Sequence, residues 1–390
     1  MNKLSVNSSL QFLALIICLP FVLSQKCSSK VKPAIFVFGD ANFDTGGFAA
    51  VSGLLDGPPY GRIFPDGQLT GRTSDGKLVI DLICENLGTK YISAYLDALD
   101  QPDFGSGASF AILGACALES DYPARYINID LPDQLNQFKL FHNRSTGEVK
   151  SKNPKLISPL KKNPTYFTDA LYAIDMGRND VTYASLIKTH DQVTNMIPSM
   201  INEIRKAISD IYDLGGRKIV VFSVEPVGCS PAQLAAKRKQ KEILDKNNCI
   251  KSLNDAAIKF NAGLKDLCKG LQSQMKDATI VFVDVYSIKN DLIANYKSYG
   301  FDKPLTACCG YGGGAYNFDP NGNKTCWTKE YNNLCKPSEK YISWDGIHYT
   351  EAANRFVADK IISTNYSTPA VKLSDLFCSS GGKGKSATKT

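Results

Sequence analysis

The sequence predicts an α/β protein in which a parallel sheet is covered by helices on both faces. Three observations point there. Short apolar runs recur along the chain, and the early ones end at Gly39-Asp40 and Met176-Gly177. Segments with helical periodicity lie between them, and two of these stop at Gly88 and Gly215. The resulting βαβαβα order favours right-handed crossovers and parallel pairing.

Residues 34–38 (Ala-Ile-Phe-Val-Phe) read as a buried strand by length and flanks. Residues 74–88 open on Ser74, a capping residue, and predict a helix. Residues 170–175 predict a second strand, and 193–214 an amphipathic helix ending at Gly215-Gly216. A β-branched strand follows at 218–224, then a mostly helical stretch at 230–269 with a break near Asn247-Asn248-Cys249. Residues 279–285 predict another strand and 350–364 a closing helix. In such sheets the site lies beyond the carboxyl ends of the strands. The loops after Phe38, after Asp175 and around Trp344 are therefore expected to converge. Residues 298–338 read as a loop insertion, and no repeat or linker divides the chain.

Residues 1–24 read as a secretory leader: Lys3, an apolar run from Leu10 to Leu23, then small residues Val22 and Ser24 before a cut at Gln25. That run is too short to span a bilayer comfortably. One domain is expected over 25–378, followed by a disordered basic tail at 379–390. Of the 12 cysteines, Cys18 falls in the leader. The odd remainder implies disulfides plus a thiol that is free or paired between chains. Cys308, Cys309, Cys326 and Cys335 suggest a stapled loop; a zinc site there is disfavoured because no histidine accompanies them. Asn143, Asn323 and Asn365 head glycosylation triplets. The net charge of +7 comes without a nucleic-acid recognition motif, so no nucleic-acid partner is expected. The expected destination is the secretory pathway, with the extracellular space or a vacuole as end point.

The chain has only three histidines. His142 and His190 lie among polar residues and suit a structural role. His348 follows Asp345 by three residues in Ser343-Trp344-Asp345-Gly346-Ile347-His348, so Asp345 can fix the imidazole tautomer and leave the other nitrogen as a base. Asn179, in Asp175-Met176-Gly177-Arg178-Asn179-Asp180, can donate its amide to a developing oxyanion. The glycine block 105–114 can bring a backbone N–H to a substrate oxygen at Gly114. Taken singly, the last two are common turn sequences.

Together, Gly39-Asp40-x-x-x-Asp44, the block ending at Gly114, Gly177-x-Asn179-Asp180 and Asp345-x-x-His348 resemble the four blocks of the GDSL esterase/lipase family of the SGNH-hydrolase superfamily. The resemblance is closest to the plant branch with early-nodulin and α-fucosidase-like members. Pro59-Tyr-Gly-Arg62, Pro226-Val-Gly-Cys229 and Ala307-Cys-Cys-Gly310 belong to the same pattern. It implies a three-layer α/β/α sandwich with a flavodoxin-like sheet, and no cofactor or metal. It also places the base on His348 and its orienting acid on Asp345. The oxyanion donors fall on the backbone N–H of residue 41, the N–H of Gly114 and the side chain of Asn179. The nucleophilic serine falls on Ala41, which has no hydroxyl. Gly47 is a second departure, where the family usually has Asn.

Without a serine no acyl-enzyme can form at residue 41. In a serine protease that loss costs about 10⁶ in turnover, with a residual ~10³ over water. Neighbours offer no rescue: Asn42 is a poor nucleophile, Asp40 is expected to point into the turn, and Thr45 is a turn away. The favoured reading is a repurposed catalyst in which His348 moves a proton and the hole stabilises an enolate or alkoxide of a small carbonyl or ester-type metabolite, by elimination, isomerisation or cyclisation. The alternatives are a pseudoenzyme that binds a ligand or protein partner, a hydrolase with residual activity, and an engineered Ser-to-Ala change.

Overall fold

A computed structural model describes residues 32–54, 57–64, 71–97, 102–119, 122, 127–147, 163–237, 242–337 and 339–377. The expected leader at 1–24 and the tail at 379–390 lie outside them. In chain order the elements are β1 (Ile35–Gly39), α1 (Gly47–Ser52), α2 (Val79–Leu87), β2 (Ser93–Ala94), β3 (Gly107–Ser109), α3 (Leu131–Thr146), β4 (Leu171–Asp175), α4 (Arg178–Ile187), α5 (His190–Asp213), β5 (Lys218–Phe222), α6 (Pro231–Lys237), α7 (Lys251–Gln274), β6 (Thr279–Val283), α8 (Val285–Ala294), β7 (Lys303–Ala307), β8 (Cys309–Gly310), β9 (Asn333–Leu334), β10 (Tyr341–Ser343), α9 (Glu351–Ile362) and β11 (Ser367–Thr368).

Seven strands form the main sheet in the order β11-β6-β5-β4-β1-β3-β2. All pairs are parallel except β11 on β6. Setting aside the two-residue edge strands, β6-β5-β4-β1-β3 is the flavodoxin-like 2-1-3-4-5 order. Alternate strand residues face opposite layers. Phe36, Phe38, Tyr172, Ile174, Val221 and Phe282 pack with Phe138, Ile204 and Phe260 of α3, α5 and α7. Ile35, Val37, Ala173, Val220 and Val281 pack with Ile83, Ile288 and Val357 of α2, α8 and α9. Burial on both faces explains why these strands read as unbroken apolar runs.

Several boundaries differ from expectation, each for a local reason. The helix expected from Ser74 begins only at Val79. Asp81 Oδ2 accepts the Leu78 N–H at 2.8 Å and so caps it there, while Asp75 Oδ1 accepts the Glu351 N–H at 2.8 Å and ties the preceding turn to α9. The strand expected to reach residue 285 ends at Val283, because Asp284 caps α8 through the Ser287 N–H at 2.9 Å. The glycine block contains a short strand, β3, and the turn after Asp175 leads directly into α4. Helices α1, α3 and α8 were not expected. The insertion carries β7 to β9 and is stapled by Cys308–Cys335 and Cys309–Cys326, with Cys229–Cys249 closing the break before α7. Cys84 and Cys268 are buried thiols.

Candidate active site

The loops after β1, after β4 and around Trp344 meet at the carboxyl ends of the strands. Strand β1 ends at Gly39, with φ of 155°, where its register partner is Asp175. The next turn holds Asp40 and Ala41, and Thr73 Oγ1 donates to the Ala41 carbonyl at 3.1 Å. Asp44 binds this turn to the glycine block: its carboxylate accepts from Gly46, Gly47 and Phe48 and, through Oδ2, from Leu113 N at 2.8 Å. Burial pushes Asp44 up to about 6 against those four N–H groups. Gly114 follows, with φ of 84°, a value that glycine adopts readily. The backbone N–H groups of Ala41 and Gly114 have no hydrogen-bond partner among the described residues.

Gly177, with φ of 113°, starts α4, and a Cβ there would stand 2.6 Å from Phe260 Cζ. The tight start aims Asn179 and Asp180 at the loop that follows the glycine block. Asp180 accepts from Ala117 N at 2.8 Å and Leu118 N at 3.1 Å, and burial pushes it up to about 6. Asn179 Nδ2 donates to Ala115 O at 3.0 Å and to Asp40 Oδ2 at 3.2 Å.

His348 Nδ1 lies 2.7 Å from Asp345 Oδ2. That carboxylate also accepts the Tyr60 hydroxyl at 2.8 Å and the N–H groups of Ile347 and His348 at 3.0 and 2.8 Å. Burial alone would raise Asp345; the His348 charge and these bonds outweigh it and hold the carboxyl below its ordinary value. In the neutral imidazole, anionic Asp345 favours the proton on Nδ1 and leaves Nε2 as the acceptor. Ala41 and His348 are only 5% and 6% exposed, so any ligand must be narrow where it meets them. Trp344 is fully buried behind them, edge-on to Tyr60 and covered by the Arg62 guanidinium 4.9 Å from its ring.

A second cluster lies beneath this site, and the sequence reading missed it. Arg178 Nε donates to Glu225 Oε1 at 2.5 Å, its Nη2 to Ile347 O at 3.2 Å and its Nη1 to Asn179 Oδ1 at 3.4 Å. One buried guanidinium thus holds both the His348 loop and the Asn179 amide. Lys289 donates to Glu225 Oε2 and lies 3.8 Å from the centre of the Tyr349 ring. Burial raises Glu225, but Lys289 and Arg178 more than offset it and lower the carboxyl to about 2. Asp40 and Asp175 go the other way. Burial raises both, Arg178 is the main opposition at Asp40, and the Asp40 charge pushes Asp175 further up. A charged residue shortly after an apolar strand, as Glu225 follows β5 with Ser223 and Val224 between, is the signal that marked this cluster.

Among the glycosylation triplets, Asn323 and Asn365 are exposed in loops, whereas Asn143 is half-buried within α3 with its Ser145 buried. Among the described residues no group of His, Cys, Asp or Glu is arranged to hold a metal ion, and no helix is long and apolar enough to cross a membrane.

Residues 35–361 match the family model described as GDSL-like lipase/acylhydrolase. A GDSL esterase/lipase of Arabidopsis thaliana is 42% identical over 93% of this chain and 96% of its own length. Another from the same plant is 43% identical with the same coverage. An Arabidopsis thaliana protein named alpha-L-fucosidase 3 is 38% identical over 84% of this chain and 90% of its own. The plant relatives and the disulfides seen among the described residues fit a secreted protein.

Proposed function

Because the chain belongs to the GDSL-like lipase/acylhydrolase family, we propose that it is a secreted member without serine hydrolysis, in which His348 works as a base on a small carbonyl or ester-type metabolite. The carrying observation is the bond that orients His348 on Asp345; the family resemblance, which puts the nucleophile position on Ala41, supplies the other half of the reading. Asp345 holds Nδ1 at 2.7 Å and leaves Nε2 available, while the position that would give that nitrogen a hydroxyl proton carries a methyl group. A base of this kind takes its proton from the ligand. The unpartnered N–H groups of Ala41 and Gly114, with the Asn179 amide beside them, suit an oxygen that gains charge as the proton leaves. Elimination, isomerisation and cyclisation share that demand. Glycans at Asn323 and Asn365 belong to the same reading.

Two experiments test it. The purified protein is expected neither to turn over p-nitrophenyl acetate nor to react with a fluorophosphonate probe, and Ala41→Ser is expected to gain both. Labelling of the native chain would refute the loss of serine chemistry. For the base, a plant metabolite extract is incubated with the native protein and with folded His348→Ala and profiled by mass spectrometry. A product made only by the native protein supports base catalysis; identical profiles reject it.

A further inference from the structure

We propose that Asp40 is the general acid of this site, acting opposite the base His348. The inference rests on the base reading above and adds the group that returns the proton.

The first ground is where the carboxyl lies. Oδ1 stays in the turn and accepts the Asn42 N–H at 3.1 Å, but Oδ2 reaches across to Asn179 Nδ2 at 3.2 Å. The other Nδ2 hydrogen goes to Ala115 O at 3.0 Å. A primary amide has only two hydrogens to give, so a ligand oxygen can take one only by replacing a bond already made. Ala115 belongs to a loop pinned by Asp44 at Leu113 and by Asp180 at Ala117. The exchangeable bond is therefore the one to Asp40, and a ligand oxygen that takes it lies beside the carboxyl it displaced.

The second ground is the charge count in the buried cluster. Its carboxyls are Asp40 after β1, Asp175 on β4 and Glu225 after β5. Its cations are Arg178 on α4 and Lys289 on α8, and every one of these five is 9% exposed or less. Among the described residues the other titratable groups facing it are His348 and Tyr349; Asp345 is already answered by its four hydrogen bonds. Three buried carboxyls against two cations leave one negative charge in excess, and a carboxyl in that position keeps its proton instead. Arg178 and Lys289 both bond Glu225, so the proton falls to the Asp40–Asp175 pair, at neighbouring strand ends and both contacted by Asn42. Such a pair titrates as a unit.

The step balances without a cofactor. His348 Nε2 removes a proton from the carbon next to the ligand carbonyl, and the C–H electron pair becomes the C=C of an enolate. Asp40 passes its proton to the oxygen, or to the leaving group when a bond breaks in elimination. One proton leaves the ligand and one enters it; solvent takes the first from His348 and restores the second to the carboxyl pair.

The proton is read first without a ligand. Infrared difference spectra of the full-length protein at neutral pH are expected to show a buried protonated carboxyl C=O band that is absent from both Asp40→Asn and Asp175→Asn. Activity is then read as hydrogen–deuterium exchange at the α-carbon of cyclohexanone, followed by NMR. His348→Ala is expected to abolish exchange. Asp40→Asn is expected to leave KM unchanged, lower kcat by about 10²-fold or more, and remove the basic limb of the pH profile. Asp175→Asn is expected to remove the same limb, and it carries the test if Asp40→Asn does not fold. A native protein without the band, or carboxyl variants that keep the native kcat and pH profile while His348→Ala is inactive, overturns the acid and leaves the base standing. A native protein no faster than buffer overturns the base, and the acid with it.

Discussion

Replacing Arg178 with Gln tests the buried cluster most directly, because the structure fixes what is lost and what is left behind. The change removes the 2.5 Å bond to Glu225 and the bonds to Ile347 O and Asn179 Oδ1. Glu225 then has Lys289 alone, and Asp40 loses its main opposing charge. Three carboxyls face one cation, and at 8% exposure or less for Arg178 and Glu225 solvent does little to relieve the excess. Removing one partner of a buried pair costs about 3–5 kcal/mol, and that is the expected loss for Arg178→Gln. Glu225→Gln deletes a carboxyl instead. Two carboxyls then face two cations, and the cluster reaches neutrality by releasing the proton held by Asp40 and Asp175. Its cost is expected to be less than half as large. Equilibrium unfolding in guanidinium chloride, disulfides intact, measures both, with an unchanged slope required for the comparison. The reasoning is refuted if Arg178→Gln costs under about 1 kcal/mol, or if Glu225→Gln costs as much as Arg178→Gln.

Other consequences are open to measurement. Asp44 and Asp180 rise from 3.8 to about 6 on folding, so the folded state binds their protons more tightly and stability is lost as pH rises through that window. Glu225 is held at about 2 and Asp345 below its ordinary value, so their contribution is lost as pH falls below about 4.5. The melting temperature is therefore expected to be higher near pH 5 than near pH 7.5; the opposite order contradicts the assignment. Peptide mapping after glycosidase treatment is expected to find glycans at the exposed loop residues Asn323 and Asn365 and none at Asn143, which is half-buried within α3. Gly177→Ala is expected to cost about 2–4 kcal/mol in denaturant unfolding, since φ of 113° and a Cβ 2.6 Å from Phe260 combine strain with overpacking.

The sheet and the Asp345–His348 bond were legible in the sequence because each leaves a local signature. Residues 35–39, 171–175, 218–222 and 279–283 are apolar on both faces, and His348 has an aspartate three residues before it. The reading of Ala41 as a lost nucleophile position comes only from the order of the four blocks, since an alanine after Gly-Asp is otherwise unremarked. Helix α3 hid behind a polar composition and a proline in its first turn. The start of α2 was misplaced because Asp81, rather than Ser74, caps it. Asp40 does bond into its own turn as expected, but its second oxygen crosses to another loop, and no local pattern encodes that. Arg178, Glu225 and Lys289 come from three elements separated by 47 and 64 residues, so only the folded sheet reveals them as one cluster.

That cluster also weighs on whether the cleft performs chemistry or only holds a ligand. Buried ion networks are weak stabilisers, and well-packed apolar side chains of similar volume often do as well or better. A cleft that only holds a ligand gains nothing from three carboxyls and two cations placed beneath it. A site that moves protons does. Arg178 fixes the Asn179 amide and the His348 loop with one planar group, the proposed proton lies next to that amide, and Asp345 orients the His348 ring through Nδ1. With a serine at position 41, a hydroxyl proton would stand first in line for His348. With alanine there, residue 41 offers no hydroxyl to acylate, which is the condition the proposed base and carboxyl pair require.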